Sequence, residues 1–225
     1  MYIIIFIVIA IASYAVQSSL NSKFKKYSAI PLDSGMTGKE VAEKMLHDNG
    51  ITDVTVKPVK GMLTDHYNPV TKTVNLSEKV YSTNSIAAAA VAAHECGHAV
   101  QHATHYGPLT LRSLLVPPVN FASQLIPWIL MAGILLVETV PHVLIFGIVL
   151  FAMTTLFSII TLPVEINASK RAVGWLNHSG IAVGQKNYFA TDALKSAAYT
   201  YVVAAASSLA TLFYYVMILL GSRKN

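Results

Sequence analysis

The sequence predicts a mainly α membrane protein, with about four transmembrane helices and a small α+β part. Three observations carry that expectation. Of 225 residues, 54% are hydrophobic and only 12% are charged, about half the charged share of an ordinary soluble domain. Four apolar runs each approach the roughly 20 residues that a span needs. The polar segments between them carry helix caps and short strand-like stretches.

The first apolar run, MYIIIFIVIAIASYAVQSSL, is followed at once by Lys23, Lys25 and Lys26. A secretory signal carries its positive charge before the apolar run, and here the charge comes after. Residues 1–22 therefore read as an uncleaved transmembrane anchor. Positive-inside then puts the lysines and the following chain on the cytoplasmic side. Residues 119–162 read as a transmembrane hairpin, with spans at about Phe121–Val137 and Val143–Leu162 and a polar turn from Glu138 to His142. A hairpin returns the chain to the side it left, so residues 23–118 and 163–198 share one face of the membrane. Residues 199–225 read as a fourth span and tail. Arg223 and Lys224 then fall outside, against the charge rule. Tyr199, Tyr201, Tyr214 and Tyr215 read as interfacial anchors and packing residues.

Two polar segments remain. TGKEVAEKMLHDNGI reads as an amphipathic helix, capped by Thr37 with Glu40 three residues later and stopped at Asn49-Gly50. VTVKPV, GMLTDHYN and KTVNLS read as short strands. An edge strand of this kind can pair with an extended peptide. STNSIAAAAVAAHECGHAVQHATHYGP reads as one helix, ended by Gly107-Pro108. Its apolar part is too short to span a membrane, so it is expected to be buried in protein.

That helix holds the chemistry. His94 and His98 lie four residues apart, hence on one face, one turn apart. Both imidazoles can point at one ion. Glu95 lies about 100° around the axis and can reach a water at that ion without ligating it. This is the H-E-x-x-H pattern of zinc peptidases, in which the glutamate is the general base. Cys96 lies about 200° from His94 and reads as a small packing residue. As the lone cysteine it excludes an internal disulfide and a cysteine-rich zinc cage. His102 shares the histidine face but sits about 6 Å further along the axis, as a supporting group. The metzincin position for a third histidine is Thr104, and its glycine position is Gln101, so that pattern fails.

The third protein ligand is open on position alone. Glu138 and His142 belong to the opposite membrane face, roughly 30 Å away. Asp65, His66 and Asp192 are on the right side and stay candidates. Glu165 is the best placed, directly after the third span in LPVEINASKRAVGWL, where Pro163 suits a helix's first turn. An oxyanion donor is also expected, with Tyr201, His178 and Arg171 as candidates. NHSG around His178 reads as a turn.

LTDHYNP, AAHECGHAVQHA, LPVEINASKRA and AAYTYVVAA together resemble the YugP-type membrane zinc peptidases, a family of neutral zinc metallopeptidases. The similarity runs over nearly the whole chain. The family in turn resembles membrane zinc peptidases of the HtpX and Ste24 type, which carry a downstream E-x-x-x-D helix. That resemblance implies a zincin-like catalytic part, with Zn2+ held by His94, His98 and Glu165 and with Glu95 as catalytic base. The aspartate position of the downstream motif is Ser169 here, so its support of a ligand histidine falls to a hydroxyl.

The resulting expectation is a membrane-anchored, zinc-dependent endopeptidase in the cell membrane, with its site at the cytoplasmic face. Its partners would be peptide or membrane-protein substrates and the lipid bilayer. The basic residues lie at membrane edges with no RNA- or DNA-binding motif, so no nucleic acid is expected. Two other classes compete. A zinc-stabilised scaffold would close its metal with a fourth protein ligand and would not need Glu95. A site-2-type intramembrane protease would need a long apolar segment around His94 and an Asp-Gly motif in a later span, and neither is present.

Overall fold

In the computed structural model, residues 2–222 are described. The chain runs α1 (Tyr2–Ser28), α2 (Gly38–Asp48), β1 (Thr55–Val59), β2 (His66–Asn68), β3 (Thr73–Ser77), α3 (Glu78–Ser82), α4 (Ile86–Ala103), α5 (Gly107–Leu135), α6 (Pro141–His178) and α7 (Gln185–Ser222). Of the described residues, 75% are helical and one small sheet is present, a mainly α fold with a small α+β part. Among the described residues, four helices, α1, α5, α6 and α7, are long and apolar enough to cross a membrane. Arg223 and Lys224, which weighed against the fourth span, lie outside the described residues.

The chain divides into two compact units. One comprises Met1–Ala15, Thr110–Pro163 and Thr200–Asn225. It is built from apolar helix. Leu130 and Leu144 are buried where α5 meets α6. A Cβ on Gly133 would come within 2.6 Å of the Leu144 Cα, so only glycine lets these helices approach so closely. Thr155 and Ser208 hydroxyls lie 3.0 Å apart, linking α6 and α7. Large apolar side chains such as Phe121, Trp128, Phe146 and Phe213 are exposed.

The other unit comprises Val16–Leu109 and Val164–Tyr199. Its sheet has the order β1-β3-β2, with β1 parallel and β2 antiparallel to β3. The capping box of α2 forms as read: Thr37 accepts from the Glu40 amide, and the Glu40 carboxylate accepts from the Thr37 amide at 2.8 Å. Gly50 ends that helix at φ +69°. Buried Val41, Met45, Val74, Leu76, Ile86 and Leu176 form the core around α4. Ser85 caps α4 by accepting from the Ala88 amide at 3.1 Å, and almost every residue from Ile86 to Gln101 is buried.

Two local expectations change. The histidine-bearing helix ends at Ala103, before Gly107-Pro108. The turn is made by His105, a non-glycine residue at φ +50°, with the Tyr106 amide donating back to the Gln101 carbonyl at 2.9 Å. Gly107 and Pro108 instead open α5, where a missing proline N–H costs nothing. Pro163 does not start a new helix either. It lies inside α6, which continues without a break from the apolar run through Glu165 to His178. The turn expected at NHSG follows, with Gly180 at φ +74°.

Leu76 on β3 is fully buried. Leu76→Ala should cost about 3 kcal/mol, read as a lower denaturation midpoint of the detergent-solubilised chain followed by Trp175 fluorescence.

Candidate metal centre

Helix α4 presents His94 and His98 one turn apart, with ring centroids 4.8 Å apart and planes at 82°. Helix α6 brings Glu165 against them. Its Oε2 lies 3.2 Å from His94 Nε2 and 3.6 Å from His98 Nε2. One donor atom from each residue lies within 4.8 Å of the others, an arrangement that can hold a metal ion. Ligand atoms at zinc distances of about 2 Å in a tetrahedron lie roughly 3.3 Å apart, close to the spacings between Glu165 and the two imidazoles. Two imidazole nitrogens and one carboxylate oxygen are also the donor types that zinc takes, with a fourth position left for solvent or substrate. The residues present therefore fit zinc.

The approach of the two helices rests on Gly97. A Cβ there would sit 2.7 Å from the Ala168 carbonyl oxygen and 3.1 Å from its Cα. The turn between the two histidines thus lies directly on the α6 backbone, three residues past Glu165. Electrostatics also favour a cation. Burial works against a charged His98, yet Glu165, with help from Glu95, holds its pKa above the ordinary histidine value.

Glu95 points elsewhere on the helix, as its place in the turn requires. It is 8% exposed, and its Oε2 accepts the Tyr67 backbone N–H at 3.0 Å. Tyr67 reaches along α4, its hydroxyl 2.8 Å from His102 Nδ1. His102 therefore engages β2 and stands apart from the three-residue cluster. The hydroxyl of Ser169 lies 3.1 Å from His94 Nδ1, the ring nitrogen turned away from Glu165.

The remaining candidates lie elsewhere. Asp65 accepts from the Ser77 amide and hydroxyl at 2.7 and 3.1 Å. His66 is exposed, between the Thr64 carbonyl and Asn75. Asp192 pairs with Lys23 at 2.8 Å and accepts from Tyr27 at 2.7 Å. Arg171 donates to Asn167 at 2.8 Å, and His178 contacts the Gly174 carbonyl of its own helix. Tyr201 belongs to the apolar unit. Cys96 is fully buried with its sulfur 3.5 Å from the Ala42 carbonyl, and burial raises its thiol pKa well above normal. Sequence reading gave Tyr67 no part. Its bond to Glu95 joins residues 28 apart, and no local signal announces it.

A family model described as "Putative neutral zinc metallopeptidase" matches residues 2–220. The chain belongs to that family. The membership makes zinc the metal that the three-residue cluster can bind. A relative from Bacillus subtilis (strain 168), described as "Putative membrane protease YugP", is 44% identical over 211 residues, covering 94% of this chain and 93% of the relative. No solved structure matches.

The role of Gly97 is open to a direct test. Gly97→Ala should lower the thermal midpoint, since overpacking costs about 1–3 kcal/mol, and should weaken zinc binding measured by chelator competition. Gly174→Ala on α6, where an added Cβ meets nothing within 4 Å, should do neither.

Proposed function

We propose that this chain is a multi-pass membrane endopeptidase that hydrolyses peptide bonds at a zinc site held by His94, His98 and Glu165, with Glu95 as general base. The observation that carries the reading is the convergence of those three donors on one point, with the Glu95 carboxylate on the adjoining residue. When bound, zinc would polarise the scissile carbonyl and lower the pKa of a water.

The protein's own groups do the rest. Glu95 is aimed by the Tyr67 amide, which occupies Oε2 and leaves Oε1 to take a proton from the attacking water. The same carboxyl then delivers that proton to the leaving amine. Ser169 steadies the His94 ring through Nδ1, in the place of the usual carboxylate partner. The substrates are peptides or membrane proteins. Four apolar helices support a membrane location, as does the description of the Bacillus relative as a membrane protease. Lys23, Lys25 and Lys26, directly after the first apolar run, support a cytoplasmic catalytic face by the positive-inside rule. The catalytic segments are then residues 23–118 and 163–198.

Glu95→Gln should keep its zinc content by elemental analysis and lose at least 10²-fold in peptide hydrolysis, the usual worth of a general base. Hydrolysis at the wild-type rate in that variant would remove Glu95 from the mechanism. Zinc binding with no hydrolysis that Glu95→Gln abolishes would favour a scaffold. Glu165→Ala should lose zinc in dialysis against a mild chelator, and a full zinc content would remove Glu165 as a ligand.

A further inference from the structure

Gln101 is 0% exposed, a fully buried polar side chain on the same helix as His94, Glu95 and His98. It lies between α4 and α6. Its Nε2 donates to the Val164 backbone oxygen at 2.8 Å and to Asn167 Oδ1 at 3.0 Å. Its Oε1 lies 3.0 Å from His98 Nδ1.

The chemistry of the partners fixes the direction of every bond. A main-chain carbonyl only accepts, so the amino end of Gln101 must face Val164 and its oxygen must face His98. Asn167 is oriented in the same sense. Arg171 Nε, which only donates, lies 2.8 Å from Asn167 Oδ1. An amide oxygen also only accepts, so the proton of this contact belongs to His98 Nδ1. In the neutral ring the lone pair then sits on Nε2. That is the nitrogen 3.6 Å from the Glu165 carboxylate.

We propose that Gln101 is a positioning residue for the metal: its buried amide locks His98 in the Nδ1–H tautomer, presents Nε2 to the ion, and holds the main chain beside Glu165. The last part follows because Val164 immediately precedes Glu165. A single side chain thus touches the ring of one ligand and the backbone next to another. It sets both the protonation pattern of His98 and the level of Glu165 relative to it. The inference rests on the reading of the three-residue cluster as a zinc site.

The test is zinc affinity of the full chain in detergent, measured by competition with a chromophoric chelator. Gln101→Met keeps the length of the side chain and removes both polar groups. The expected result is zinc binding about 10–100-fold weaker, with helix content by circular dichroism unchanged. An affinity equal to wild type in the folded variant would overturn the proposal. If Gln101→Met does not fold, imidazole nitrogen NMR of the metal-free wild type, at a pH where His98 is neutral, reads the tautomer directly. A proton on Nδ1 supports the proposal, and a proton on Nε2 overturns it. A wild-type chain that binds no zinc would sink the zinc reading itself, while the NMR measurement would still decide what Gln101 does to the ring.

Discussion

The metal centre depends on one steric constraint: two helix backbones in contact at Gly97. With no side chain there, α4 lies against the carbonyl of Ala168, and Glu165 on α6 reaches the two histidines of α4. Ridge-and-groove packing with ordinary side chains holds helix axes 8–10 Å apart. A short carboxylate side chain would then have further to reach. The alanines of α4 serve the same end. Ala92, Ala93 and Ala99 are buried and add little bulk around the site. The cluster is therefore a product of small residues as much as of its three donors.

Close packing makes the polar groups expensive, and the structure meets that cost by pairing them. Glu95, His98, Gln101 and Glu165 are all buried. Each has a defined partner: the Tyr67 amide, the Gln101 oxygen, the Val164 carbonyl and the two imidazoles respectively. An unsatisfied polar group at this depth costs about 1–3 kcal/mol. A run of such groups is stable only as a connected network. It also ties donors to orientations that suit a metal.

Local signals were legible in the sequence, and long-range ones were not. The Thr37/Glu40 box was readable because both ends of each hydrogen bond lie within one helical turn. The histidine pair and the place of Glu95 followed from helical period alone. The parallel pairing of β1 with β3 was not readable, since it depends on packing rather than on either strand. The stop of α4 at His105 was missed because glycine usually fills a left-handed position, and here a histidine does. Pro163 suggested a helix start, but α6 passes through it. In an apolar helix, neighbouring groups can absorb the lost hydrogen bond. Glu165 was only the best placed of several carboxylates until resemblance singled it out. Gln101 was visible as a polar residue three positions after His98, but its partners on α6 were not.

The donor set also has a consequence for oxidative stress. Zinc held by thiolates is lost when those thiolates are oxidised, but nitrogen and carboxylate oxygen offer an oxidant nothing comparable. The chain's one sulfhydryl, at Cys96, is sealed inside the helix packing and disfavoured as a thiolate, which leaves it chemically inert. Accessible sulfur for an oxidant lies instead in exposed methionine such as Met62.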